Sequence, residues 1–253
     1  MTRALTRTHL HSSSLVRSLV DMAMLDAQGS GAAFAERLGS WIHFTDAITL
    51  AAVHSEALRQ VPGSTPEIRS TAARAAAAEF DRVHALLQTS IINSCSYKAG
   101  KTHIRFPLPT PDLAADSASA YAPYHRFYQA HQRDMELSIQ PLRTNVRAAL
   151  GKTSPRLAKL AELDATLEII LRERESKLLA TLPLLLKKRY MAAFTSHQQV
   201  QAASQHPDNP AAWTRAGGWL ADFCTDMQTL LLAELDLRLQ PTTGLIEAMT
   251  NTP

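Results

Sequence analysis

Residues 154–177, SPRLAKLAELDATLEIILRERESK, decide the fold. Ser154 offers a capping hydroxyl, Pro155 stands where a helix tolerates it, and no glycine or further proline follows within the stretch. Leu160, Leu163, Leu167 and Ile170 recur at 3-4-3 spacing, which predicts the seam of a helical bundle. Glu168–Arg172 and Glu173–Lys177 lie four residues apart with the acid first, the order that supports an exposed helix face. On this reading the longest helix starts here, Leu167 is buried and Glu168 points outward.

The same grammar extends in both directions. The nine glycines fall at 29, 31, 39, 63, 100, 151, 217, 218 and 244, and the prolines gather at the same punctuation points. A glycine costs ~1 and a proline ~3 kcal/mol inside a helix, so a chain that sets them between Ala-, Leu-, Arg- and Glu-rich stretches is a stack of helices. No alternating segment of strand length and no internal repeat interrupts the pattern. The expected fold is all-α, a multi-helix bundle with a long Pro-containing loop between two helical halves.

The halves read as follows. Residues 1–11 form a flexible tail and 12–95 an N-terminal helical unit. Ser12, Ser13 and Ser14 offer caps to a first helix with Leu15, Val16, Leu19, Val20, Ala23 and Met24 on its stripe, ended by 28–31. A short helix follows over 32–38. Trp41, Ile42 and Phe44 lead into a helix over 45–58, with Thr45 as cap and Ile48, Ala51 and Ala52 pointing inward. After Pro62 and Gly63, Thr65-Pro66-Glu67 starts a helix running to about Ser94, with Phe80, Val83, Leu87 and Ile91 as its stripe.

Residues 96–122 form a Pro-rich loop. Pro107, Pro109 and Pro111 remove donors and push their neighbours to extended geometry, so a mobile, protease-sensitive arm is expected, as linker or binding element. If docked instead, Ile104, Phe106 and Leu108 would be its anchors. Residues 123–250 form a C-terminal helical bundle packed with the N-terminal unit as one domain. Pro123 opens its first helix, Pro141 and Pro183 kink helices, and Pro241 ends or bends the last one.

Composition narrows function mainly by exclusion. Lys plus Arg is 26 against 23 for Asp plus Glu, a net charge of +3, far from the basicity of a dedicated nucleic-acid binder. Cys95 and Cys224 are the only cysteines, which excludes a disulfide framework and any CxxC metal or redox spacing. They read as buried, reduced thiols. The start lacks a signal-peptide core, and the greasiest run (178–186) is about half a membrane span, so a cytoplasmic protein is expected.

Chemical motifs are sparse. HExxH, P-loop, GxGxxG and GxSxG sequences are all absent. His131-Gln-Arg-Asp134-Met-Glu136 is the suggestive stretch, because Asp134 one turn on could hold the His131 ring and tune it as a base. The plainer reading is a polar helix face, and Asp81 with His84 repeats the pattern. Asp222 and Asp226 are spaced as helical magnesium ligands can be, without a second acidic motif. Lys187, Lys188 and Arg189 form the densest basic cluster, a candidate patch for phosphates or an anionic lipid surface. Trp41 and Phe44, like Trp213 and Trp219, read as core anchors.

Leu15-Val16-Arg17 through Phe34-Ala-Glu-Arg-Leu38 and Trp41 to Ile48 resemble a bacterial family of uncharacterised proteins, domain of unknown function 3348. So do Tyr124 to Glu136, Gly217-Gly-Trp219-Leu and Leu235-Asp-Leu-Arg-Leu-Gln-Pro241. The resemblance spans nearly the whole chain and implies one unit. It carries over no catalytic residues and implies an accessory role beside an envelope-associated assembly, at the inner face of the membrane.

The leading expectation is a cytoplasmic interaction or adaptor protein, not an enzyme, with no cofactor, no metal and no catalytic residue assigned. Its partner is expected to be another protein or a second copy. Two alternatives stay open: an enzyme with His131, Asp134 and Glu136 lining an interhelical site, and a weak nucleic-acid or anionic-surface binder using Lys187, Lys188 and Arg189.

Overall fold

The computed structural model describes residues 13–24, 41–55, 66–95, 103–109, 117–203 and 208–251, and every regular element among them is helical. In chain order these are α1 (Ser14–Asp21), α2 (Phe44–Ser55), α3 (Pro66–Ser94), α4 (Ser117–Gly151), α5 (Pro155–Leu179), α6 (Leu182–Ala203), the single turn α7 (Pro210–Trp213) and α8 (Trp219–Asn251). The expected tail at 1–11, the short helix over 32–38, the 62–63 break and residues 96–102 and 110–116 of the Pro-rich segment lie outside the described residues.

The last helix is the centre of the bundle. Leu220, Phe223, Met227, Leu230, Leu231, Leu235, Leu239, Leu245 and Met249 are all buried on α8, on more than one face. A helix apolar over most of its circumference must be surrounded, and α1, α3, α4, α5, α6 and α7 all pack on it. Beside it, α4 buries Tyr121, Tyr124, Tyr128, His131, Met135, Ile139, Leu142, Val146 and Leu150, a run of three- and four-residue steps. Tyr121, Tyr124, Tyr190 and Phe223 meet there with ring centroids 5.2–6.5 Å apart. On α3, Leu87 and Ile91 are buried and Phe80 and Val83 pack partly against the same core.

Several boundaries differ from the sequence reading. Pro123 does not open α4, which starts at Ser117 and so takes 117–122 from the expected loop. Pro141 and Pro241 both lie within continuous helices on exposed positions, where the carbonyl deprived of its donor can meet water. Pro183 marks a break and not a kink. Its ring is incompatible with a helix interior but fits a first turn, so α5 ends at Leu179 and α6 begins at Leu182. Gln132 Nε2 donates to the terminal Leu179 carbonyl at 3.0 Å, and the Tyr121 hydroxyl donates to the Pro183 carbonyl at 2.6 Å. The first helix stops early as well. Ala23 adopts φ 53°, and the Met24 and Ala23 amides bond back to Leu19 and Val20 carbonyls, which closes α1 before Ala23 and Met24 can join its stripe.

The deciding stretch is a helix from Pro155, capped by Ser154 Oγ accepting from the Leu157 amide at 3.3 Å. It is not the longest: α4 has 35 residues and α8 has 33, against 25 for α5. Its fully buried residues are Leu157, Ala158, Ala161 and Leu179, whereas Leu160, Leu163, Leu167 and Ile170 are half-buried. The cause is its position. With α4 and α2 both packed on α5, apolar contact is spread around the helix and not held on one seam.

The proline segment is docked over 103–109. Ile104 and Phe106 are buried, the Phe106 amide donates to the Ser94 carbonyl at 3.2 Å, and the Phe106 ring packs on Tyr124 and Phe127. Leu108, the third expected anchor, is 75% exposed. Over these seven residues the chain is a strap across α3 and α4, against the expectation of a mobile arm.

Candidate functional site

Five places on the molecule concentrate chemistry or unspent apolar surface. The sequence-selected histidine stretch lies on α4, and its three residues do not converge. His131 is 1% exposed, and its Nε2 shares a 2.8 Å hydrogen bond with Ser94 Oγ on α3. Its ring stands edge-on to Phe127. Burial, with the charge of nearby His103, lowers its pKa to about 4, so the ring is neutral near pH 7. Asp134 faces His103 Nε2 at 4.0 Å instead of His131, and Glu136 is exposed at the edge of a cleft. One turn of helix separates the three, but the packing of α3 turns His131 inward while the acids stay near the surface.

The strongest buried polar centre is one the sequence reading did not select. Glu234 on α8 is fully buried, and its carboxylate accepts from the Tyr128 hydroxyl at 2.9 Å, Gln132 Nε2 at 3.1 Å and Arg238 Nε at 2.8 Å. Burial raises the Tyr128 pKa well above its ordinary value, and the Glu234 charge adds to the shift. A signal existed, since Glu234 stands in helical phase with Leu230 and Leu231. What it lacked was the partners Tyr128 and Gln132, which come from α4.

Arg238 also borders a cleft of about 110 Å³ between α4, α5 and α8, together with Glu136, Arg143, Glu168, Arg172 and Glu175. Its arginines are already engaged. Arg143 pairs with Asp164 at 2.6 Å, Arg172 with Glu168 at 3.3 Å, and Arg238 with Glu234 at 2.7 Å. Arg147 joins Asp164 and Glu168, each at 2.6 Å. Burial alone would raise the carboxyls of Asp164 and Glu168, but these cations outweigh it and hold both below their ordinary values. Glu168 is therefore part of the α4–α5 joint and not an outward residue, while Glu173–Lys177 is the exposed pair expected.

Around the α7–α8 turn, Trp213 and Trp219 pack at 5.5 Å between centroids, with His197 beside both. Asp208 accepts from Trp213 Nε1 at 2.8 Å and lies 3.1 Å from His197 Nε2. Burial raises the Asp208 carboxyl, yet these two contacts hold it below its ordinary value. Gly217 takes φ +80°, and a Cβ on Gly218 would fall 2.4 Å from the Trp213 carbonyl oxygen, so the turn needs both glycines.

The basic cluster is divided. Lys188 is exposed and Lys187 half-buried, but Arg189 Nε is committed to Asp226 at 2.8 Å. That same pair takes Asp226 away from any shared site with Asp222. Among the described residues no group of three or more His, Cys, Asp or Glu side chains is placed to hold a metal ion.

The fifth place is α2. Seven of the twelve residues in FTDAITLAAVHS are apolar, yet none is buried. Phe44 is 83% exposed, Ile48 53% and Trp41 38%, and Ala51 and Ala52 are exposed too. This overturns the reading of Ile48, Ala51 and Ala52 as inward-facing and of Trp41 and Phe44 as core anchors. The reason is that, among the described residues, α2 packs mainly on α5 and little else covers it. The His43 Nε2 contact with Arg174 at 3.0 Å fixes its start against α5.

The architecture is that of an all-α multi-helix bundle with an apolar core, a buried polar cluster around Glu234 and, among the described residues, one apolar helix that buries none of its side chains. The family described as Protein of unknown function (DUF3348) matches residues 1–251, and the chain belongs to it. No curated protein and no solved structure matches the chain. Among the described residues, no helix is long and apolar enough to cross a membrane.

Proposed function

We propose that this chain is a cytoplasmic interaction protein that presents α2 as its docking face to a partner protein. The observation that carries the reading is the exposure of Phe44 and Ile48, one turn apart on a mostly apolar helix that buries no residue. Isolated exposed leucines are ordinary on a protein surface, but two large apolar side chains on one bare helix are a typical recognition face. Covering each would contribute about 1.5–3 kcal/mol toward a contact. Ile169 is 74% exposed on α5, the helix on which α2 packs. The polar clusters support the same reading, since their carboxylates and guanidinium groups are largely satisfied by one another.

The test is site-specific photo-crosslinking in the native cell. A photoreactive residue at Phe44 or Ile48 should give a discrete adduct, while one at Val200, 68% exposed on α6, should not. Phe44→Asp with Ile48→Asp should retain the helical circular dichroism and lose the adduct captured from Trp41. Adducts no different from those at Val200 would overturn the reading. The adduct mass separates a second copy from another protein, and its identity shows whether the partner belongs to an envelope assembly.

A further inference from the structure

The only two cysteines of the chain are 129 residues apart, on the residue after α3 and the second turn of α8, and the fold brings them together. The Cys224 Sγ donates to the Cys95 carbonyl oxygen at 3.1 Å, which sets the two residues side by side. Cys224 is buried, whereas Cys95 is half-buried. The Ser94 hydroxyl, on the residue before Cys95, donates to the Ile91 carbonyl at 2.9 Å and lies 2.8 Å from His131 Nε2.

We infer that Cys95 and Cys224 are a redox pair, oxidised by a hydroperoxide to a disulfide that ties the end of α3 to the start of α8. Contact with Cys224 lowers the Cys95 thiol below its ordinary value against the effect of burial, and the same contact together with burial pushes Cys224 up. Cys95, the more exposed of the two, is thus the nucleophile and the buried Cys224 the resolving thiol. In the first step the Cys95 thiolate attacks the peroxide, the O–O bond breaks, and the leaving alkoxide or hydroxide takes a proton from water. Cys95 becomes a sulfenic acid. In the second step the Cys224 sulfur attacks the Cys95 sulfur, the S–O bond breaks, and the leaving hydroxide combines with the Cys224 proton as water. Two thiols lose two electrons and the peroxide gains them. A thiol–disulfide exchange with a small dithiol reverses the change.

The experiment uses the full reduced chain, hydrogen peroxide, alkylation of remaining thiols and peptide mass spectrometry. The expected product is a monomer lighter by two hydrogens, with a Cys95–Cys224 linked peptide that dithiothreitol removes. Cys224→Ser should instead accumulate a Cys95 sulfenic acid trapped by dimedone, and Cys95→Ser should leave Cys224 unmodified at the same dose. Retained helical circular dichroism checks both variants, and the wild-type time course stands alone if either fails to fold. Three results would each overturn the inference: sulfinic Cys95 without the linked peptide, disulfides between chains only, or thiols inert in the native protein while the urea-unfolded chain reacts.

Discussion

At the residue scale the bundle depends on two buried polar groups, His131 and Glu234. His131 is neutral, and its folded pKa of about 4 lies below the ordinary 6.5. Between these values the unfolded chain binds more protons, so the contribution of His131 is complete above about pH 6.5 and is lost as pH falls toward 4. A shift of this size corresponds to about 3 kcal/mol, and urea unfolding at pH 7 and pH 4.5 should show most of it in the wild type and little of it in His131→Gln. Asp164 and Glu168 act in a lower window. Their folded values are depressed, so their contribution persists until pH falls below the ordinary carboxylate range. Glu234 gives the complementary prediction. Glu234→Ala would leave Arg238, Gln132 and the buried Tyr128 hydroxyl without their acceptor, and should cost about 3–5 kcal/mol by urea denaturation. A loss under about 1 kcal/mol would mean that water takes over the site.

At the scale of elements, α5 shows how far a sequence pattern reaches. Its cap, its start at Pro155 and its two i,i+4 pairs are all formed. The face it buries is shifted, because α2 and α4 both lean on it. Leu157→Ala should therefore cost about 2–5 kcal/mol, while Leu167→Ala, at a half-buried position, should cost distinctly less. Glu168→Ala should cost more than an exposed charge would, since it leaves Arg147, 15% exposed, with Asp164 alone. Thermal melts of the three variants decide the order. The strap follows the same logic in reverse. Its prolines denied it a helix as read, but alternation still let Ile104 and Phe106 face the helices, so extended backbone became a docked segment and not a free one.

At the scale of the whole molecule, α8 is the element on which most of the others rest, from α1 and α3 near the start of the chain to α6 and α7 just before it. A chain ending at residue 218 should lose cooperative melting and far more helical circular dichroism than the 33 residues of α8 account for. Two cooperative fragments persisting without α8 would instead show independent halves. The helical class, the starts of α3 and α5, and the buried stripes of α4 and α8 were legible in the sequence, because they follow from local backbone cost and three-to-four-residue periodicity. Helix packing was needed to show that Glu234 meets Tyr128 and Gln132, that His131 turns to Ser94 and not Asp134, that Cys95 meets Cys224, and that α2 buries none of its residues. Each of these depends on which helix lies against which, and such contacts join residues 37 to 129 positions apart, or leave a face without a neighbour, where no local periodicity records the outcome.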